Sequence, residues 1–213
     1  DSPDRQVVDR DDRELAQLRC VAYGACSELV ASPHDLDPRD GLREKLGIGE
    51  VLDQARELEL VMSKLVERDI DELKRGYSSL FEVGSDGPPV SIREDINTGQ
   101  RAGTREDLVR FYDFFGYSLA ERFAWAPDHL SVELEFMHFL CYGEASADDD
   151  ALPFQLAQAD FATRHFAWLA DWSRSVTELQ PDSLYAEVAA AIAQFAARDL
   201  AWQQGTIISS RET

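Results

Sequence analysis

Apolar residues along this chain recur mostly three and four apart, the spacing of one face of an α-helix. Within residues 11–32 the stripe is Leu15, Leu18, Ala22, Ala25 and Leu29, and Ser32-Pro33 ends it, since Pro lacks the amide that continues the ladder. Val51, Leu52, Ala55, Leu58, Met62 and Leu65 draw a second stripe, and Leu73, Tyr77, Leu80 and Phe81 place a third helix over Ile70–Phe81. Residues 82–103 show no period and carry Gly84, Gly87, Pro88, Pro89 and Gly99. An irregular segment of that length inside a compact domain is usually functional or unstructured. Thr104, with Asp107 three residues on, resembles a capping box and opens a helix bearing Leu108, Phe111, Tyr112, Phe115 and Leu119. Pro127-Asp128 starts the next, with Leu130, Leu134, Met137 and Leu140 on one face. Asp148-Asp149-Asp150 breaks the pattern before Pro153. Phe154, Phe161, Trp168, Leu169 and Trp172 then predict one long aromatic helix, and Pro181-Asp182 introduces a last one over residues 183–202. No useful alternating pattern and no repeat interrupts this series. The expected fold is all-α, a single-domain compact helical bundle over residues 10–203, with a disordered tail at 1–9 and a C-terminal tail at 204–213.

Length supports that expectation, because 213 residues suffice for one core without disulfide or metal staples. Charge narrows the function. With 21 Lys and Arg against 41 Asp and Glu, the formal net charge is −20. Such a surface repels nucleic acid and anionic lipid and draws cationic partners, although acidity also serves plain solubility. Cys20, Cys26 and Cys141 form no CxxC and no disulfide framework, so free thiols in a reducing compartment are expected. No apolar run has the length of about 20 residues that a membrane helix needs, and the first residues lack the apolar core of a secretory signal. These features predict a cytoplasmic protein that binds neither membrane nor nucleic acid.

Little in the sequence supports catalysis. Phosphate-binding glycine loops and GxSxG are absent. The sharpest catalytic fragment is Glu135-Phe136-Met137-His138, a Glu-x-x-His unit on a helix; di-iron bundles use two such units, and here residues 126 and 162, three before His129 and His165, are both Ala. A helical metalloprotein using Glu135 and His138 is therefore the alternative to a binding protein without enzymatic activity. A second constellation is Asp128-His129 followed by Glu133. Asp128 suits a helix N-cap, and His129 and Glu133 suit a link across one turn, so both also have ordinary structural readings.

Four blocks, in order, resemble the TorD/DmsD/NarJ family of redox-enzyme maturation chaperones. They are Tyr77-Ser78-Ser79-Leu80-Phe81 with its Gly/Pro-rich loop, Phe111-Tyr112-Asp113-Phe114-Phe115-Gly116, Pro127-Asp128-His129-Leu130 with Glu133-Leu134-Glu135-Phe136-Met137, and the Gln158, Phe161, His165, Trp168 helix. The second and third look closest to chaperones of type II dimethyl sulfoxide reductase-family enzymes. The chain departs from signal-binding members in having Tyr77 where they carry Trp, and no Trp after Pro88-Pro89.

The resemblance implies an all-helical, cofactor-free chaperone. Its partner is the molybdenum-containing catalytic subunit of such an enzyme, held through a twin-arginine signal or through its body until cofactor insertion and assembly are complete. For the arginines, Asp128 is the leading carboxylate, with Glu133 and Glu94 as further anions and His129 beside them, because a carboxylate matches a guanidinium with two bonds. Tyr77, Leu80, Phe81 and Pro89, with the 82–103 loop, are the candidates for the apolar stretch, although for Tyr77, Leu80 and Phe81 taken singly core packing is the commoner use. Gln158, Phe161, His165 and Trp168 read as packing around a satisfied buried His.

Overall fold

The computed structural model describes residues 6–10, 13–82, 84–85, 87–99, 103–123, 126–147 and 150–209. Their order is β1 (Gln6–Val8), α1 (Arg13–Val30), α2 (Arg39–Glu44), α3 (Ile48–Val51), α4 (Arg56–Val66), α5 (Ile70–Phe81), α6 (Glu94–Asn97), α7 (Thr104–Phe115), α8 (Leu130–Ser146), α9 (Leu152–His165), α10 (Leu169–Leu179), α11 (Leu184–Thr206) and β2 (Ile207–Ser209), with single 3-10 turns at Asp53–Ala55 and Glu121–Phe123. This is the all-α bundle that the periodicity predicts, with α5 at its expected bounds.

Helices α1 and α8 pack along their lengths, with α9 and α11 against them and α10 folded back on α11. Ala22, Ala25 and Cys26 of α1 and Leu130, Leu134, Met137 and Cys141 of α8 are fully buried, and the small residues on α1 let the two backbones approach. Phe136 is the hub of an aromatic cluster, its centroid 4.8 Å from Tyr112 and 4.9 Å from Phe161. Thus α7, α8 and α9 are tied by their aromatic faces. The three thiols are all free and buried, as expected.

Several element ends differ from the sequence expectation. The second stripe is split: Leu52 is extended (φ −120°, ψ 100°), so α3 is a single turn and α4 starts only at Arg56. Thr104 is not the N-cap of α7; Gly103 is, at φ 101°, a left-handed conformation that suits glycine. That helix stops at Phe115 because Gly116 (φ 68°) turns the chain, with Tyr117 N–H donating to the Tyr112 carbonyl at 2.8 Å, which leaves Leu119 outside. The long aromatic helix is two helices. The Trp168 indole donates to the His165 carbonyl at 2.8 Å, taking an acceptor of the α9 end while the backbone bends. Inside the 82–103 segment, Glu94–Asn97 is one helical turn. The expected tails meet: β1 pairs antiparallel with β2, Val7 opposite Ile208. Asp148 and Asp149 of the acidic run lie outside the described residues, and Asp150 is exposed.

Candidate peptide-binding site

Helix α5 starts on Asp69, whose side chain accepts from Asp71 N–H at 2.9 Å. Its i, i+4 spacing then sets Tyr77 and Phe81 on one face, ring centroids 5.1 Å apart. Tyr77 hydroxyl donates to the Val30 carbonyl at 3.2 Å, and Phe81 stacks on Trp172. Beyond the helix the chain doubles back: Val90 N–H donates to the Leu80 carbonyl at 3.0 Å. It then runs antiparallel to the start of α8, with Leu130 N–H donating to the Ile92 carbonyl (3.1 Å) and Glu94 N–H to the Asp128 carbonyl (3.0 Å).

Between α5 and this return segment lies a cavity of about 510 Å³. Buried Tyr77, Phe81, Ile92 and Ala126 give it an apolar floor, and Pro88, Phe123 and His129 also line it. Two exposed carboxylates, Asp35 and Glu82, line its edge. Glu82 is held by Ser78 Oγ (2.7 Å) and Ser32 Oγ (3.1 Å), and His34 Nε2 lies 2.8 Å from Ser78 Oγ. The lining therefore combines buried apolar side chains with two exposed carboxylates and with Arg93, whose charge is paired with Asp128, a combination that suits a segment with cationic and apolar parts.

Of the sequence candidates, Tyr77, Phe81 and His129 come together here. Leu80 is fully buried behind them. Pro89 is exposed and does not line the cavity; its neighbour Pro88 does. Asp128 does receive a guanidinium with two bonds, but from its own chain. Arg93 Nη2 lies 2.6 Å from Oδ1, Arg93 Nε 3.2 Å from both carboxylate oxygens, and Arg105 Nε 3.6 Å from Oδ1. With Asp95 N–H also donating at 3.3 Å, Asp128 is 0% exposed and engaged on both oxygens. It is not the N-cap of α8 either. His129 is: its Nδ1 accepts from Ser131 N–H at 3.2 Å. Burial pushes the His129 imidazole down to about 4, so it is neutral near pH 7 and keeps the lone pair that the cap requires.

The link expected from His129 to Glu133 is not made. Glu133 is fully buried, and neither of its oxygens has a hydrogen-bond partner among the described residues. Burial first, then the neighbouring Glu94 and Asp128, raises its carboxyl well above the usual range, which favours its neutral form. Glu94 is buried too and shifted upward by burial, with His165 Nδ1 2.9 Å from its Oε2. His165 is satisfied on that side only; its Nε2 has no hydrogen bond among the described residues and lies 3.5 Å from Asp107 Oδ2. Gln158 is fully buried and donates to Glu144 at 2.8 Å.

The Glu135 and His138 pair is drawn into other contacts. His138 Nδ1 lies 2.8 Å from the Cys20 carbonyl oxygen, burial and then the Glu135 charge push up the Tyr117 hydroxyl, and no group of three possible ligands gathers among the described residues. Arg93, Asp35 and Glu82 were not sequence candidates. Arg93 carries no local signal, and the two acids are ordinary loop and helix-end residues until folding sets them on one rim.

Comparison with known proteins follows this geometry. The family model described as nitrate reductase delta subunit matches residues 48–174, more than half of the chain. A selenate reductase assembly chaperone protein from Thauera selenatis is 37% identical over 145 residues, covering 62% of this chain and 74% of the relative. A chlorate reductase assembly chaperone protein from Ideonella dechloratans is 41% identical over 108 residues, 48% of this chain and 56% of the relative. A perchlorate reductase assembly chaperone protein from Dechloromonas aromatica (strain RCB) is 28% identical over 186 residues, 78% of this chain and 80% of the relative. Among solved structures, a chain from Archaeoglobus fulgidus described as a redox enzyme maturation protein superposes with a TM-score of 0.56 at 19% identity, covering 83% of this chain and 93% of that one, a likeness of fold. With the family model spanning more than half of its length, this chain belongs to the nitrate reductase delta subunit family.

Proposed function

We propose that the protein is an assembly chaperone, without enzymatic activity of its own, for the molybdenum-containing catalytic subunit of an enzyme of the selenate and chlorate reductase kind. It holds that subunit in the cytoplasm until cofactor insertion and assembly are complete. The cavity beside α5 receives the subunit's twin-arginine signal. Its arginines meet Asp35 and Glu82, and the apolar stretch behind them lies on Tyr77, Phe81 and Ile92. His129 helps line the cavity, while Asp128 acts from beneath by fixing Arg93, with Leu80 and Glu133 as the packed backing. The observation that carries this reading is the apolar floor edged by two exposed carboxylates in a chain of net charge −20. Two guanidinium groups are matched by two carboxylates, and the overall field brings a cationic segment in.

The test is titration with a synthetic signal peptide from a molybdenum enzyme encoded beside the gene, comparing Arg-Arg with Ala-Ala. Binding that weakens with Ala-Ala, and again in the Asp35→Asn, Glu82→Gln double variant, supports the signal-binding reading. Equal binding of both peptides removes the arginine role. If neither binds, the body of the apo catalytic subunit is the epitope, and the cavity loses its assignment.

A further inference from the structure

A second cluster of buried charges, among the described residues, shares no residue with that cavity. Arg19 of α1 and Asp199 of α11, both 0% exposed, are joined by two bonds of 2.6 and 2.9 Å, and Tyr23 and Gln203 also donate to Asp199. Glu144 of α8 stands beside them, accepting from Arg19 Nη1 at 3.2 Å, Gln158 Nε2 at 2.8 Å and Gln155 Nε2 at 3.0 Å. It also accepts a second guanidinium, Arg10, with Nε at 2.9 Å and Nη2 at 3.3 Å. Both guanidinium carbons lie 4.9 Å from the centre of the Trp202 ring.

Arg10 reaches this socket from the segment that carries β1. The backbone of that segment is paired as well: Gln6–Val8 pair with Ile207–Ser209, Asp9 N–H donates to the Thr206 carbonyl at 2.8 Å, and Gln155 donates to the Arg10 carbonyl at 3.0 Å. A pair of three-residue strands is marginal by itself and opens readily. The two arginines are also held unequally. Arg19 has Asp199 to itself and is held firmly charged, whereas burial and the adjacent Arg19 lower the pKa of Arg10. When Arg10 leaves, Glu144 keeps Arg19, Gln155 and Gln158 as donors, so no buried carboxylate is stranded. Backbone pairing plus one arginine is a recognition mode that many extended segments satisfy.

We infer that the socket of Glu144, Gln155, Gln158 and Trp202, together with the β2 edge, is a second peptide-binding site for an extended segment bearing one arginine. Residues 6–10 are its resident occupant and give way to such a segment of another polypeptide. The site is independent of the cavity beside α5, and its test alters no residue there.

A labelled peptide copying residues 6–10, acetylated and amidated, is titrated by fluorescence anisotropy into the full chain, into Arg10→Ala and into Asp9→Pro. The second variant removes the N–H that reaches Thr206 and so loosens the resident segment, while the socket residues and Arg10 keep their identities. The expected result is at least tenfold tighter binding to both variants than to the unaltered chain, lost about tenfold when the peptide's Arg is replaced by Ala. Absence of that gain in both variants, with circular dichroism unchanged, makes the network a fixed structural ion-pair cluster and overturns the inference. So does binding that ignores the peptide's arginine. If Arg10→Ala does not fold, Asp9→Pro alone decides.

Discussion

The raised carboxyl of Glu133 sets a measurable pH dependence. Its side chain is fully buried, neither oxygen is bonded among the described residues, and the nearby Trp168 N–H is committed to the His165 carbonyl. Burial, then Glu94 and Asp128, raises its folded-state pKa well above normal. The unfolded chain releases this proton near pH of about 4.3. Folding above that pH takes a proton up, so stability from this group is complete below the unfolded value and falls as the pH rises toward the folded one. Within that window one such group costs up to about 1.4 kcal/mol per pH unit. For a domain of this size, about 1 kcal/mol moves Tm by roughly 2–4 °C, which gives a slope of about 3–5 °C per pH unit. Glu133→Gln keeps the shape and cannot ionise. Thermal melts at closely spaced pH values are therefore expected to show variant and parent nearly level at about pH 4.5, and the variant ahead by several degrees at about pH 7. A difference that stays constant across that range would refute the reasoning, because Glu133 would then titrate alike in the folded and unfolded states.

Three further outcomes are expected. Arg93→Ala leaves Asp128 buried with no counter-ion but the longer contact to Arg105 beside the Asp95 N–H, and denaturant titration should show a loss of about 3 kcal/mol, which Lys at 93 restores only in part because it lacks the two-bond fork. Arg19→Met strands Asp199 and should cost about 3–5 kcal/mol, while Arg19→Met with Asp199→Leu recovers most of it; a loss that is merely additive in the double variant contradicts the pairing. Asp35→Asn with Glu82→Gln changes only exposed groups, so Tm should hold, while affinity for the signal peptide falls several-fold at low salt and little at high salt. Equal losses at both salts would point to a change of shape rather than charge.

The helices were legible because their information is local. Leu73, Tyr77, Leu80 and Phe81 place α5 over Ile70–Phe81, the bounds that the structure shows. Ends were harder to read, because they are decided by single residues with competing uses. Thr104 has the composition of a cap, yet Gly103 turns the chain. Asp128 has it too, yet its carboxylate goes to Arg93 and the cap falls to His129. The break after His165 depends on one indole reaching back to a carbonyl, which no periodicity records.

The candidate site divides the same way. Tyr77, Phe81 and His129 were found because helix spacing and the family blocks mark them. Glu133 and Leu80 belong to the same blocks, but whether a residue faces a cavity or lies behind it depends on what packs over it. Arg93 and Asp128 are far apart in sequence, as are Arg19 and Asp199 and Arg10 and Glu144. By itself the sequence determined the helical class, the span of most helices, the acidity and the family, since composition, short-range period and local motifs carry those. Only the tertiary structure decided which carboxylates are free and which are spent on the chain's own arginines. A buried charge must find its partner wherever the fold brings one within hydrogen-bonding distance, and that distance is set by packing rather than by position along the chain.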